Sequence, residues 1–194
     1  MSARDPVYGH GPYSVADMAN LRDEGKGFEL VDGWLIERST SPRHDYVVYA
    51  LRDIVESAAK RSGADIYIQA PMDIPTPSGA RKPDVVVVSR TAARDAWHLN
   101  LSLFPGTDVQ LAIEVVSRGS GSEREDRHRK VIEYARTGIE QYWLVDFDPR
   151  PRIQIRRLEG SAYGDPILLE EKDILEVTDP FPISFPLSRL ADFS

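Results

Sequence analysis

Hydrophobic residues recur at helical spacing in one long stretch of the chain, SPRHDYVVYALRDIVESAAKRSG, over residues 41–63. Its apolar positions return every three or four residues, so they form one face of an amphipathic helix. Ser41 is a suitable N-cap, Pro42 suits the first turn, and Gly63 is a typical stop. A shorter helix is predicted in YSVADMANLRD, with Ser14 as its cap.

Other stretches have the patterns of β-strands. PDVVVVS and DVQLAIEVVS are apolar at consecutive positions, as expected of central strands covered on both faces, and QYWLVDFD has the same character. FELVDGWLIE predicts a hairpin with Asp32 and Gly33 in a type I′ turn. RIQIRRL alternates, which predicts an exposed edge strand guarded by charge. The region between the two central strands has few regular signals.

The alternation of strands and helices predicts a single α/β domain, a sandwich built on a small mixed sheet. The polar segment RGSGSEREDRHRKVIEYARTG adds a helix, with Ser122 as its cap and Gly138 as its stop. We expect an N-terminal extension with a short helix over residues 1–26 and a core over 27–158. C-terminal strands and a tail over 159–194 are expected to pack on the same domain.

The composition limits the chemistry that is available. The 194 residues, 41% of them hydrophobic, suffice for one domain with a substantial core. Because the chain has no cysteine, disulfides, thiolate zinc sites and thiol nucleophiles are excluded. The net charge of −7 counts against a simple nucleic-acid binder but is compatible with carboxylates that hold a metal. With no membrane-length apolar segment and no signal-peptide pattern, we expect a soluble, cytoplasmic protein.

Two acidic residues accompany the predicted central strands. Asp84 stands just before a run of four valines, and Glu114 lies inside LAIEVVS. Burying an unpaired carboxylate is costly, so something must compensate both charges. If the two strands are antiparallel neighbours, the carboxylates meet at one rim of the sheet. Hard oxygen ligands at that rim would favour Mg²⁺ or Mn²⁺ over zinc.

The helix that follows Glu114 adds further charge to this rim. Asp126 and Lys130 are four residues apart and share a face, with Tyr134 one turn further on. Lys130 is therefore the natural cation beside the two acids, and Asp126 is expected to orient it. The same segment is rich in arginine, and two of these residues are candidates for binding phosphates: Arg124 and Arg127.

Pro83-Asp84 followed by Glu114 resembles the PD-(D/E)XK nuclease superfamily. The chain is more closely similar to the Uma-type family of putative restriction endonucleases. This resemblance covers residues 27–158 and rests on six segments in the same order and spacing: FELVDGWLIE, SPRHDYVV, KPDVVVVS, LAIEVVS, DRHRKVIEYARTGIEQYWLVD and IQIRRL.

The resemblance implies a restriction-endonuclease-like sandwich, with a central mixed sheet flanked by helices, that hydrolyses phosphodiester bonds in DNA with Mg²⁺. It also implies that Asp84, Glu114 and the backbone carbonyl of Val115 hold the metal. The superfamily motif has a lysine two residues after the glutamate, where this chain has Val116. The resemblance transfers that role to Lys130, which would orient water or stabilise charge on the phosphate.

Two further residues match positions that the family keeps. Glu29 and His44 stand where the family has a glutamate and a histidine, which implies that they support the site or contact the substrate.

Each candidate also has a structural interpretation. Asp84 could cap a turn at the strand entry, and Glu114 could pair with an arginine. Lys130 could be a solvated helix residue paired with Asp126, and His44 could simply occupy the first turn of its helix. Three aromatic residues are more typical of the core than of a base-stacking surface: Tyr134, Tyr142 and Trp143.

Two functions of different classes remain open. The first is a metal-dependent nuclease, and the second is a non-catalytic interaction module that keeps the nuclease fold. The acidic balance and Val116 favour the second. A zinc hydrolase is disfavoured because no two histidines have ligand spacing, and a serine hydrolase because no G-x-S-x-G segment is present. A homodimer, and a separate partner that supplies DNA specificity, are compatible with either function.

Overall fold

The structure is a computed structural model that describes residues 11–20, 27–38, 41–69, 72–120 and 122–191. The α-helices in these ranges are α1 (Val15–Asn20), α2 (Pro42–Ser62), α3 (Arg90–His98) and α4 (Lys130–Thr137). The strands are β1 (Phe28–Val31), β2 (Trp34–Glu37), β3 (Ile66–Gln69), β4 (Ile74–Thr76), β5 (Gly79–Arg81), β6 (Val85–Ser89), β7 (Val109–Val116), β8 (Gln141–Asp146), β9 (Arg152–Glu159), β10 (Ala162–Tyr163), β11 (Ile167–Glu170), β12 (Ile174–Val177) and β13 (Ile183–Pro186).

A seven-stranded mixed sheet forms the centre of the fold. Its order is β10-β9-β8-β7-β6-β3, with β11 also paired to β9. Strands β6 and β7 are antiparallel, with Val85 opposite Ile113, whereas β7 and β8 are parallel. The predicted mixed α/β fold is confirmed. One residue beyond the Val85–Ile113 pair, Asp84 lies opposite Glu114, so the two acids lie at the same end of the strand pair.

A smaller four-stranded sheet of order β2-β1-β5-β4 lies beside this end. Its hairpin is the one predicted: Asp32 and Gly33 have φ angles of 51° and 85°, as a type I′ turn requires. Pairing of β1 with β5 was not predicted, since β5 has only three residues, has no strong pattern and lies about 50 positions from β1. This sheet carries Glu29 and Arg81 towards the site.

Helix α2 covers one face of the central sheet, and its predicted signals are confirmed. The Ser41 hydroxyl accepts a hydrogen bond from the His44 amide at 3.2 Å, and Gly63 ends the helix with a φ of 69°. The apolar face of α2 packs in one core cluster with β6, β7, β8 and the β12–β13 hairpin. The C-terminal segment therefore covers α2, and a fully buried side chain such as Leu51 contributes about 1.5–3 kcal/mol of stability.

Helix α4 covers the opposite face, and its start differs from the prediction. A π-helical turn, Glu125–Arg129, precedes it, and the Lys130 amide donates to the Glu125 carbonyl five residues earlier. The Ser122 carbonyl accepts from the Asp126 amide at 3.0 Å, but the Ser122 hydroxyl contacts the Ser120 hydroxyl and is not seen to cap the helix. Gly138 ends α4 with a φ of 90°, as predicted.

Two further features correct the sequence analysis. Helix α3 lies in the region between the two central strands where the sequence had few regular signals. It was not predicted because it is short and polar. The Ser89 hydroxyl caps it by accepting a hydrogen bond from the Ala92 amide at 3.0 Å. Strand β9 is not an edge, since it lies between β8 and the β10 and β11 strands. The arginines of β9 therefore lie on a strand that has neighbours on both sides.

Within the described ranges, no helix combines the length and apolarity needed to cross a membrane.

Candidate active site

Asp84 is buried at the entry to β6, with only 4% of its surface exposed. Its Oδ2 accepts a hydrogen bond from the Val115 amide at 2.8 Å and lies 3.3 Å from His44 Nε2. Its Oδ1 forms an ion pair with the Arg38 guanidinium. Burial alone would raise the pKa of Asp84, but His44 and Arg38 hold it below its ordinary value. The aspartate is therefore charged rather than a solvated turn cap.

Glu114 is buried near the end of β7, on the face that α4 covers. Its Oε1 accepts from Lys130 Nζ at 2.9 Å and from the Tyr134 hydroxyl at 2.6 Å. The sequence-based alternative of an arginine partner is therefore wrong, since the cation is the lysine of the next helix. Asp84 and Glu114 both have protein partners, so neither charge is left unpaired.

Lys130 is the centre of a cluster of buried charged side chains. Its ammonium lies 2.9 Å from one carboxylate oxygen of each of three acids, Glu29, Glu114 and Asp126. Burial would lower the pKa of Lys130, but these carboxylates raise it well above its ordinary value. The interpretation of Lys130 as a solvated helix lysine is excluded, because its side chain is only 4% exposed. The predicted pair with Asp126 is present.

Negative charge is in excess among these buried groups. Burial is the main cause that raises the pKa of Glu114 to about 8; Lys130 opposes this shift, and nearby acids add to it. Burial, opposed by Lys130, likewise raises the pKa of Asp126. The cluster consists of four acids, Glu29, Asp84, Glu114 and Asp126, with Arg38, Lys130 and His44. With the other charged residues that line the same pocket, Glu37, Glu125, Arg81 and Arg129, the total is six acids against four permanent cations and one histidine.

These residues line a pocket of about 340 Å³. Ser117, whose buried hydroxyl has no hydrogen-bond partner in the described part of the chain, also lines it. The two arginines predicted to bind phosphates lie elsewhere. Arg127 pairs with Glu123 and Asp146 in a separate cleft of about 940 Å³, and Arg124 is exposed and does not line the pocket. The smaller pocket is the one that both predicted ligands, Asp84 and Glu114, line.

The pocket residues fit a divalent cation in donor type and in charge. Carboxylates and a backbone carbonyl are hard oxygen donors, and a dication would neutralise the excess negative charge. Within the described residues, no three His, Asp or Glu side chains are already arranged around a common metal position. The positive groups nearest to the two acids are Lys130 and Arg38. A cation would therefore compete with these side chains for the carboxylate oxygens.

Comparison with known proteins places the chain in a family. The model of the Uma2 family, described as "Putative restriction endonuclease", matches residues 15–189. The chain belongs to the Uma2 family. The match extends beyond the predicted resemblance at both ends and includes the C-terminal β12–β13 hairpin.

A solved structure similar to this Uma2 chain is that of a "putative nuclease belonging to DUF820" from Anabaena variabilis. The two share 15% sequence identity with a TM-score of 0.72, over 92% of this chain and 97% of the other. At this identity the similarity shows the fold alone. No curated protein matches the chain.

Three site residues of this Uma2 chain were not assigned functional roles from the sequence. Arg38 follows β2 and reaches Asp84, and the Tyr134 hydroxyl reaches Glu114, so Tyr134 belongs to both the core and the site. Arg81 is 1% exposed and pairs with Glu29 and with two acids of the α4 segment, Glu125 and Glu133. The only sequence signal for a role of Arg81 was its position in the R-K-P-D run, three residues before Asp84. The acidic partners of Arg81 are too distant in sequence to be inferred from it.

Replacing Tyr134 by phenylalanine tests whether its hydroxyl holds Glu114. We expect a loss of about 1–2 kcal/mol in unfolding free energy in urea, since a buried hydrogen bond to Glu114 is removed. The stabilisation produced by Mn²⁺ should also fall. Tyr163→Phe is the control, because that hydroxyl donates to the Ile139 carbonyl outside the pocket. An equal loss of metal response in both variants would contradict the assignment.

Proposed function

We propose that this protein is an endonuclease that hydrolyses phosphodiester bonds in DNA with Mg²⁺, or with Mn²⁺ in its place. The observation that supports this proposal best is the meeting of two buried strand acids, Asp84 and Glu114, beside the buried ammonium of Lys130. A stable core has no need of such a cluster, since well-packed apolar residues would serve as well or better.

Asp84, Glu114 and the Val115 carbonyl would hold the cation, which when bound would polarise the phosphate and lower the pKa of an attacking water. The Val115 amide and His44 orient the Asp84 carboxylate. The Tyr134 hydroxyl fixes Glu114 in the same way. His44 thus supports the site through Asp84.

Lys130 supplies the positive charge that the strand lacks at position 116. Glu29 and Asp126 hold its ammonium in place, and Arg81 in turn fixes Glu29. An ammonium held in this way would donate a hydrogen bond to the water or to the phosphate oxygen on which charge develops. Because its position is set in advance, little reorganisation would accompany the reaction.

DNA is the proposed substrate, in accordance with the restriction-type activity that the family description names. The net charge of −7 would repel a polyanion over most of the surface, so binding would depend on the metal and the local arginines. A homodimer would bring two sites to the two strands of a duplex. A separate protein could supply sequence specificity.

A second candidate is a non-catalytic interaction module with the nuclease fold. The observation that favours it is that every acid of the cluster already has a cationic protein partner. In this case the ion pairs would be purely structural, and neither metal nor DNA would be needed.

The melting temperature of the wild-type protein, with and without millimolar Mg²⁺ or Mn²⁺, distinguishes the two functions. A metal at 100 times its Kd stabilises a fold by about 2.7 kcal/mol. For a chain of this size we therefore expect an increase of roughly 5–10 °C. Nicking of plasmid DNA should accompany it and stop when EDTA is added.

Absence of a metal shift would favour the interaction module. Nicking that persists in Glu114→Ala would reveal a contaminating nuclease and would remove the support for the proposed activity.

A further inference from the structure

Arg38 lies at the mouth of the pocket. Its backbone amide donates to the Gly27 carbonyl at 2.9 Å, which fixes the main chain beside the β1–β2 hairpin. Its side chain reaches Asp84 and remains 19% exposed, whereas the other cationic partners of the two acids, His44 and Lys130, are 6% and 4% exposed. A ligand that approaches from solvent therefore meets Arg38 before it meets them.

The contact between Arg38 and Asp84 occupies a specific atom. The aspartate Oδ2 is engaged by the Val115 amide and His44, whereas Oδ1 is engaged by the Arg38 guanidinium. A cation that binds Asp84 through Oδ1 must displace the guanidinium. Repulsion between the two positive charges would favour the same movement.

The other described arginines that line the pocket are held by acids that are not proposed ligands of the metal. Arg81 is bound by Glu125 and Glu133 as well as by Glu29, and Arg129 is bound by Asp32 and Glu133. Displacing either would break several ion pairs. Arg38 is the lining arginine whose acidic partner would be taken over by the metal.

We propose that Arg38 is the phosphate-binding residue of the site: it neutralises Asp84 before metal binds, and after displacement it binds the phosphodiester group of the substrate. The proposal rests on the proposed function. A guanidinium offers a planar fork of N–H donors that suits two phosphate oxygens, and its charge is permanent. Metal binding and substrate binding would thus be coupled through one side chain.

The test compares Arg38→Ala and Arg38→Gln with Arg43→Ala. Arg43 is exposed and pairs with Asp148, so its replacement removes the same charge outside the pocket. Mn²⁺ affinity without DNA is measured by titration calorimetry, and kcat and KM by nicking of supercoiled plasmid. We expect both Arg38 variants to bind Mn²⁺ about tenfold more tightly, which corresponds to about 1.4 kcal/mol. We expect KM for DNA to rise by at least about tenfold.

A purely structural role for Arg38 gives a different pattern. Loss of an organising partner of Asp84 would weaken Mn²⁺ binding and leave KM for DNA unchanged. That result would overturn the proposed role of Arg38, and so would Arg38 variants that behave like Arg43→Ala. The nuclease function would still be supported if the wild-type protein binds Mn²⁺ and cleaves DNA. If the wild-type protein neither binds Mn²⁺ nor nicks DNA, the proposed function itself fails. Arg38→Gln removes the charge but keeps a polar side chain, and serves if the alanine variant does not fold.

Discussion

Glu114→Gln is expected to slow cleavage by two to three orders of magnitude, roughly 3–4 kcal/mol, while leaving the fold nearly as stable as the wild type. Glutamine matches the shape of the carboxyl group and removes an acid whose charged form is already disfavoured by burial, which raises its pKa to about 8. Lys130 keeps its pairs with Glu29 and Asp126. Without a charged ligand, we expect the Mn²⁺-induced rise in melting temperature to disappear. The nicking rate should fall by about 10²–10³-fold, or roughly 3–4 kcal/mol of transition-state stabilisation.

Glu133→Gln is the matched control, because Glu133 is also a buried acid of the same size. Burial opposes its charge, but Arg81 and its other partners lower its pKa, so its charge stabilises the fold. That contribution is present above the carboxyl's unfolded pKa and is lost as pH falls through the lower folded pKa. We expect Glu133→Gln to lose stability at neutral pH and to keep its metal shift. A metal shift that survives in Glu114→Gln would show that the site is wrongly assigned.

Lys130→Met is expected to cause the largest loss of stability. It preserves the apolar stem but leaves three buried carboxylates without their common ammonium. Removing one partner of a buried ion pair costs about 3–5 kcal/mol, measured here as the unfolding free energy in urea. Cleavage should also be lost. Mn²⁺ should restore part of the stability, since it supplies positive charge to the same acids.

Lys60→Met provides the comparison for Lys130→Met. Lys60 also pairs with a glutamate, but its side chain is 73% exposed, so we expect a change below about 1 kcal/mol. Adding Asp126→Asn to Lys130→Met should recover stability by removing one of the orphaned charges. If Lys130→Met is no less stable than Lys60→Met, the ammonium does not hold the cluster together.

Much of the fold could be predicted because its signals are local. Ser41 and Gly63 bound α2, the Asp32-Gly33 turn sets the hairpin, and apolar runs mark the central strands. Helix α3 was missed because it is short and polar, and the π-helical turn because it has no periodic pattern of its own. The pairing of β1 with β5 depends on residues about 50 positions apart, which no local pattern records.

Part of the site could also be predicted from local sequence patterns. The antiparallel neighbours β6 and β7 explain why Asp84 and Glu114 meet, and helical spacing explains why Asp126 lies beside Lys130. The contact of Arg38 with Asp84 could not be predicted, since it joins an exposed hairpin strand to the sheet across 46 positions. The arginines that the sequence indicated are near Lys130 along the chain, but Arg127 pairs with Glu123 and Asp146, and Arg124 is exposed.

The position of Lys130 on a helix changes what β7 can contain. Val116, where the superfamily motif has its lysine, is 1% exposed and packs with Ala112, Tyr134 and Leu144. A lysine introduced at position 116 would carry a second ammonium into this apolar layer. Packing at position 116 and the ammonium of the site are therefore set by two different elements, β7 and α4. An apolar substitution at position 116 should change the packing of the sheet and leave the ammonium in place.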